Sequence, residues 1–128
     1  MAPIRGKFVL VVEDDDPIRA FVSAALAYEL GVRVVGARDG QQALARMARE
    51  RPDLVLTDLA MPGLDGLGLT RRLKAHPATC GIPVVMMSAL GGCEDASAAG
   101  CDGFLPKPFE LDALIQAVRH HVADAAPA

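Results

Sequence analysis

Short unbroken apolar runs alternate along this chain with segments whose apolar residues recur at helical spacing. The first run, Lys7-Phe-Val-Leu-Val-Val12, is rich in β-branched residues and shows no polar alternation, the pattern of a strand covered on both faces. It stops at the acids Glu13 to Asp16. Asp16-Pro17 then reads as a helix cap followed by proline in the first helical position. Ile18, Phe21, Val22, Ala25 and Leu26 form one apolar stripe at spacings of three and four, and Gly31 closes that helix.

The cadence repeats. Val32 to Ala37 is a second strand candidate; Asp39 and Gln42 make a capping box that opens a helix burying Ala43, Leu44, Met47 and Ala48. Leu54 to Thr57 forms a third strand ending at Asp58, followed by the turn cluster Met61-Pro-Gly-Leu-Asp-Gly66 and a helix to about Ala75. Pro83 to Met87 is a strand ending at Ser88, and a weak helix covers Glu94 to Ala99. Gly103 to Leu105 is a short strand ending near Lys107. The last helix, about Glu110 to Val122, aligns Leu111, Leu114, Ile115 and Val118. Strands alternating with helices in this way predict an α/β fold, a parallel sheet covered on both faces. No internal repeat or composition break divides it, so residues 1–128 are expected to form one domain, with 1–6 and 123–128 as tails.

Composition narrows the function classes. The chain is 52% hydrophobic but only 4% aromatic, which suits packed helices and excludes disorder. At 128 residues it buries roughly two-thirds of its unfolded surface and needs no disulfide or structural metal to fold. The net charge of −3 offers no basic surplus, so a free-standing nucleic-acid binder is not expected. No apolar run is long enough to span a membrane, and the first is followed by acids, not by a signal-peptide cleavage site. Cys80, Cys93 and Cys101 cannot all pair and none lies in a C-x-x-C, which reads as free thiols in the cytoplasm. Cys93 is the thiol expected to be exposed, and Cys101 a packed one.

The informative observation is where the strands stop. They end in Glu13-Asp14, in Asp58, in Ser88 and in Leu105-Pro106-Lys107. In a parallel sheet all carboxyl ends lie on one edge, where ligands bind. Three carboxylates crowded there repel unless a cation neutralises them, and a hard divalent cation, Mg²⁺, is the natural fit for oxygen ligands. Mg²⁺, an ammonium and a hydroxyl donor together are what a phosphoryl group requires. An aspartate can attack phosphorus and carry it as an acyl phosphate. The set reads as Mg²⁺-dependent phosphoryl chemistry on a carboxylate.

At these residues the chain resembles the receiver domain of response regulators in two-component signalling. The likeness runs from Val9-Leu-Val-Val-Glu-Asp14 through Asp53-Leu-Val-Leu-Thr-Asp58 and Met61-Pro-Gly-Leu-Asp-Gly66 to Lys107-Pro108-Phe109, and the 44 positions from Asp14 to Asp58 fit the family. The resemblance implies a flavodoxin-like doubly wound sheet of five parallel strands, order 2-1-3-4-5, with five helices. It implies Asp58 as phosphoacceptor, Asp14 and Asp58 as Mg²⁺ ligands, Glu13 as a direct or water-mediated one, and the Ala60 backbone carbonyl completing the set. Ser88 and Lys107 would hold the phosphoryl oxygens, Ser88 and Phe104 would act as switch residues, and Lys107-Pro108 would be cis. The donor would be a histidine kinase or phosphotransfer protein, and output would pass by protein–protein contact. Ala60 and Leu90, two positions after Asp58 and Ser88, tune dephosphorylation in such receivers; neither can hydrogen-bond water here, so a long-lived phosphoryl group is expected.

The chain departs from the family in the fourth helix. Ser88 and Lys107 are 19 positions apart, a few short of the usual spacing, and Gly91 to Gly100 has no large apolar anchor. That helix is expected to be short and marginal. No Lys or Arg lies between Lys74 and Lys107, so pairing through basic residues of this helix is not expected and the chain is read as a monomer or weak dimer. Two other classes compete. A phosphatase using Asp58 as nucleophile would want an acid two residues on, where Ala60 stands, so the chain is not read as an enzyme. A constitutive interaction module would not need the acids, Ser88 and Lys107 together. His76, His120 and His121 lie near helix ends, where a favourable dipole contact explains them without a metal.

Overall fold

The computed structural model describes residues 6–89 and 93–124. Five strands, β1 (Phe8–Val12), β2 (Arg33–Ala37), β3 (Leu54–Asp58), β4 (Val84–Ser88) and β5 (Gly103–Pro106), form one parallel sheet in the order β2-β1-β3-β4-β5. Between and after them lie α1 (Asp16–Leu30), α2 (Gly40–Arg49), α3 (Gly66–Ala75), α4 (Cys93–Ala99) and α5 (Leu111–Asp124). The doubly wound α/β architecture and its strand order are as expected. Alternation along β1 divides the molecule into two cores. Val9 and Val11 pack with α1 and α5 residues such as Val22, Leu26, Leu114 and Val118, while Leu10 and Val12 pack with Ala43, Leu69 and Leu73 of α2 and α3. All of these but Leu73, at 2% exposure, are completely buried, so cutting Leu10 or Leu26 to alanine costs about 2–5 kcal/mol.

Several boundaries and faces differ from the sequence reading. Asp15, not Asp16, caps α1: its carboxylate accepts from the Ile18 N–H at 2.9 Å, and Asp16 is free to pair with Arg19. The α1 stripe is fully buried only at Val22 and Leu26; Ala25 is half-buried, and Ile18 and Phe21 are exposed, Phe21 by 58%, where they line an open groove beside Pro108 and Phe109. Leu111, in the first turn of α5, is also exposed, and so is Ala48, which the α2 stripe was expected to bury. α5 continues to Asp124, two residues beyond its expected end, which removes Ala123 and Asp124 from the tail. Of the two cysteines whose side chains are described, Cys80, in the turn after α3, is exposed and Cys101 packs against the second core. Expectations about the Cys93 side chain, about Leu90 and Gly91-Gly92, and about residues 1–5 and 125–128 lie outside the described residues.

The β4–β5 side is tied by polar contacts. Lys74 donates to Asp102 at 2.8 Å and to the Ile82 carbonyl at 2.9 Å. The His121 ring lies over Gly103, its nitrogens 2.8 Å from the Ala117 carbonyl and 3.0 Å from that of Asp102. His121, expected near a helix end, thus also ties the last turns of α5 to the start of β5. α4 is short, as expected, and among its described side chains the buried ones are Ala96 and Ala99.

Candidate functional site

The carboxyl ends of β1, β3 and β4 and the residue after β5 deliver the expected side chains to one place. Glu13 extends the β1 ladder by one bond, its N–H donating to Ala37 O at 2.9 Å, and this turns its side chain inward to 1% exposure. Asp14, next along, faces solvent. Asp58 and Ser88 are the last residues of β3 and β4, and both are buried. Lys107 is placed by its own N–H, which donates to Ser88 O at 2.7 Å, and the Lys107–Pro108 bond is cis.

Lys107 binds the acids together. Its ammonium donates to Glu13 Oε1 at 2.9 Å and to Asp58 Oδ1 at 3.0 Å, across 94 and 49 positions of chain. The other Glu13 oxygen accepts from the Asp15 N–H at 3.1 Å. Burial pushes the Glu13 carboxyl above its ordinary value; the hydrogen bonds from Lys107 and Asp15 oppose this without cancelling it, and the Asp58 charge adds to it. Burial alone would lower the Lys107 ammonium, but its bonds to Glu13 and Asp58 outweigh that and hold it above the usual lysine value. Lys107 thus stays cationic, and its one charge leaves the acids undercompensated.

Oxygen atoms of Glu13, Asp14 and Asp58 come within 4.8 Å of one another. Hard anionic oxygens at this separation, with a buried carboxylate still short of positive charge, suit a hard divalent cation. Ala60 is exposed two residues beyond Asp58. Phe104 is half-buried on β5, in register with Met86.

Two features were not foreseen from the sequence. Arg19 of α1 donates to the Glu13 carbonyl at 2.8 Å and pairs with Asp16, so it steadies the acidic loop from the helix side. An arginine one turn after an acidic loop is the only trace of this in the sequence. Beside Lys107, an apolar groove of about 510 Å³ is lined by Ile18, Phe21, Val22, Pro108 and Phe109. Its signal was present in the α1 stripe, which extends a turn further than the sheet can cover.

Comparison with known proteins agrees with this geometry. The profile of the response regulator receiver domain matches residues 9–119. A gliding motility regulatory protein of Myxococcus xanthus is 39% identical over 121 residues, 91% of this chain and 16% of that protein. The phosphate regulon transcriptional regulatory protein PhoB of Pseudomonas aeruginosa is 38% identical over 119 residues, 88% of this chain and 52% of that protein. This chain therefore spans about half or less of those relatives' lengths. Among solved structures, the chemotaxis response regulator CheY4 of Vibrio cholerae superposes with a TM-score of 0.83 at 28% identity, covering 90% of this chain and 98% of that one.

Proposed function

Because this chain belongs to the response regulator receiver family, we propose that it is a phosphorylation-switched signalling module that accepts a phosphoryl group on Asp58. The observation that carries this reading is the buried Glu13–Lys107–Asp58 bridge with Asp14 at its open side. It supplies a nucleophilic carboxylate, an undercompensated acidic pocket and a movable cation within one site.

In this reading an Asp58 oxygen attacks the phosphorus of a phosphohistidine. The new P–O bond forms as the P–N bond breaks, and the electron pair leaves with the imidazole, which takes up a proton. Glu13, Asp14, Asp58 and the Ala60 carbonyl would hold Mg²⁺, which when bound offsets charge on the phosphoryl oxygens. Lys107 releases Asp58 and Glu13 and turns its ammonium to a phosphoryl oxygen; a flexible stem with a compact charge suits that movement. The Ser88 hydroxyl donates to another of those oxygens. Phe104 has no hydroxyl and can follow the change only by repacking.

The donor is proposed to be a histidine kinase or a phosphotransfer protein, in a direct kinase pair or a phosphorelay, in the cytoplasm. The apolar groove at Ile18, Phe21 and Phe109 supports a protein donor, since it borders Lys107 and offers a macromolecule surface to bury. Output is by contact with another protein, with residues 1–128 acting as one receiver unit. Among the described residues no helix is long and apolar enough to cross a membrane.

Incubation with Mg²⁺ and a small acyl phosphate tests the assignment by intact mass. One added phosphoryl group is expected on the wild type and none on Asp58→Asn. Modification that persists in Asp58→Asn, or that proceeds in a chelator, overturns it.

A further inference from the structure

The loop from Leu59 to Asp65 carries the Ala60 carbonyl, and a carbonyl serves a small, geometrically strict cation only if its loop is held still. Besides the first helical bond of α3, from Leu69 N–H to Asp65 O at 2.9 Å, three backbone bonds hold it. Leu59 N–H donates to Met87 O at 2.8 Å, Gly66 N–H to Leu59 O at 2.9 Å, and Gly40 N–H to Leu64 O at 3.1 Å. The first two stay within β3, β4 and the start of α3; the third ties the loop to α2.

Leu64 is also gripped by its side chain. A Cβ on Gly40 would stand 2.5 Å from the Leu64 carbonyl oxygen and 2.7 Å from its Cγ. A Cβ on Gly68 would stand 2.7 Å from its Cδ1. Neither glycine has a positive φ, so the backbone conformation does not demand glycine at either place. The space does. Gly68 sits inside α3, where glycine costs about 0.5–1 kcal/mol relative to alanine, and the room it leaves is filled by Leu64. The half-buried Leu64 thus meets the starts of both helices at once, through its carbonyl and stem at Gly40 and its side-chain end at Gly68.

We propose that Leu64 is a positioning residue of the phosphorylation site: seated between Gly40 and Gly68, it ties the Ala60 loop to the first turns of α2 and α3 and so sets the site's affinity for its cation. This rests on the reading of Asp58 and Ala60 given above. Leu64 touches neither the cation nor the phosphoryl group.

The test compares Leu64→Ala, Gly68→Ala, their combination and the conservative Leu64→Met by calorimetric Mg²⁺ titration of the folded proteins. Amide exchange at Gly40 and Gly66 is followed in metal-free samples. Leu64→Ala should weaken Mg²⁺ binding roughly tenfold, the scale on which groups that orient a ligand act. Gly68→Ala should also weaken it, by pushing on Leu64, yet add nothing in the Leu64→Ala background, where the short side chain leaves room. Leu64→Met should keep most of the wild-type affinity. Leu64→Ala should speed exchange at Gly40 and Gly66 relative to β1. Wild-type Mg²⁺ affinity in both single variants, or effects that add in the double variant, overturns the proposal and leaves Leu64 a packing residue. A wild type that binds no Mg²⁺ overturns instead the reading on which the proposal rests, and the amide exchange still reports whether Leu64 anchors the loop.

Discussion

Replacing Lys107 by alanine should destabilise the metal-free protein and leave its hold on Mg²⁺ intact or stronger. The ammonium lies 2.9 Å from Glu13 and 3.0 Å from Asp58, with side-chain exposures of 18% for Lys107, 1% for Glu13 and 12% for Asp58. Removing one partner of a buried ion pair costs about 3–5 kcal/mol, because a charge is left unpaired in a weakly solvated place. Two circumstances reduce that here. Lys107 and Asp58 keep some water, and Glu13, already raised by burial, escapes part of the loss by taking up a proton. About 2–3 kcal/mol remains, or a fall in Tm of roughly 6–12 °C for a domain of this size. Thermal unfolding at neutral pH in a chelator reads it directly. In excess Mg²⁺ the gap between the two proteins should narrow, since a cation then occupies the acids that lost their ammonium. Titration should show the variant binding Mg²⁺ at least as tightly as the wild type. An equal loss of stability with and without Mg²⁺, or a tenfold weaker affinity in the variant, would refute the reasoning.

Glu13→Gln should be at least as stable as the wild type in a chelator at neutral pH while binding Mg²⁺ more weakly. Because the folded Glu13 value is raised, the folded state keeps a proton that the unfolded chain has lost, so wild-type stability falls as pH rises from the ordinary glutamate value through the raised one; denaturant melts across that window should show the fall missing in the variant, and an identical pH profile would count against it. Amides of Glu94 to Ala99 should exchange through openings at least about 2 kcal/mol below those of β1, since α4 anchors itself with Ala96 and Ala99 alone among its described side chains; protection equal to that of β1 would contradict this. Ala60→Asn should shorten the life of the phosphoryl group several-fold by offering a hydrogen bond to attacking water, measured as the decay of phosphorylated protein after donor removal; an unchanged lifetime would show that other groups govern access.

The strands and the polar residues at their ends were legible in the sequence because both follow from local patterns. Continuous β-branched runs mark strands buried on two faces, and helices between them force parallel connections. Once the connections are parallel, Glu13, Asp14, Asp58, Ser88 and Lys107 must share an edge, whatever the details of packing. Gly31 and Asp39 were likewise readable, because a helix end is a local event. The exposed ends of two stripes were not. Periodicity shows that Ile18, Phe21 and Leu111 share a face with buried neighbours, but only the reach of the sheet decides where cover stops.

Sequence alone therefore determined the fold class, the sheet edge at which the polar strand ends meet and the residues gathered there. Tertiary structure decided which contacts those residues make. Whether Lys107 grips one acid or two, and whether Asp15 or Asp16 caps α1, turns on differences of an ångström or so between segments far apart or side by side in the chain. The seat of Leu64 between Gly40 and Gly68 depends on two helices closing on one loop, and glycine in a sequence does not say whether it serves a turn or a close approach. Patterns along a chain report the period and polarity of each element; distances between elements arise only when all of them pack at once.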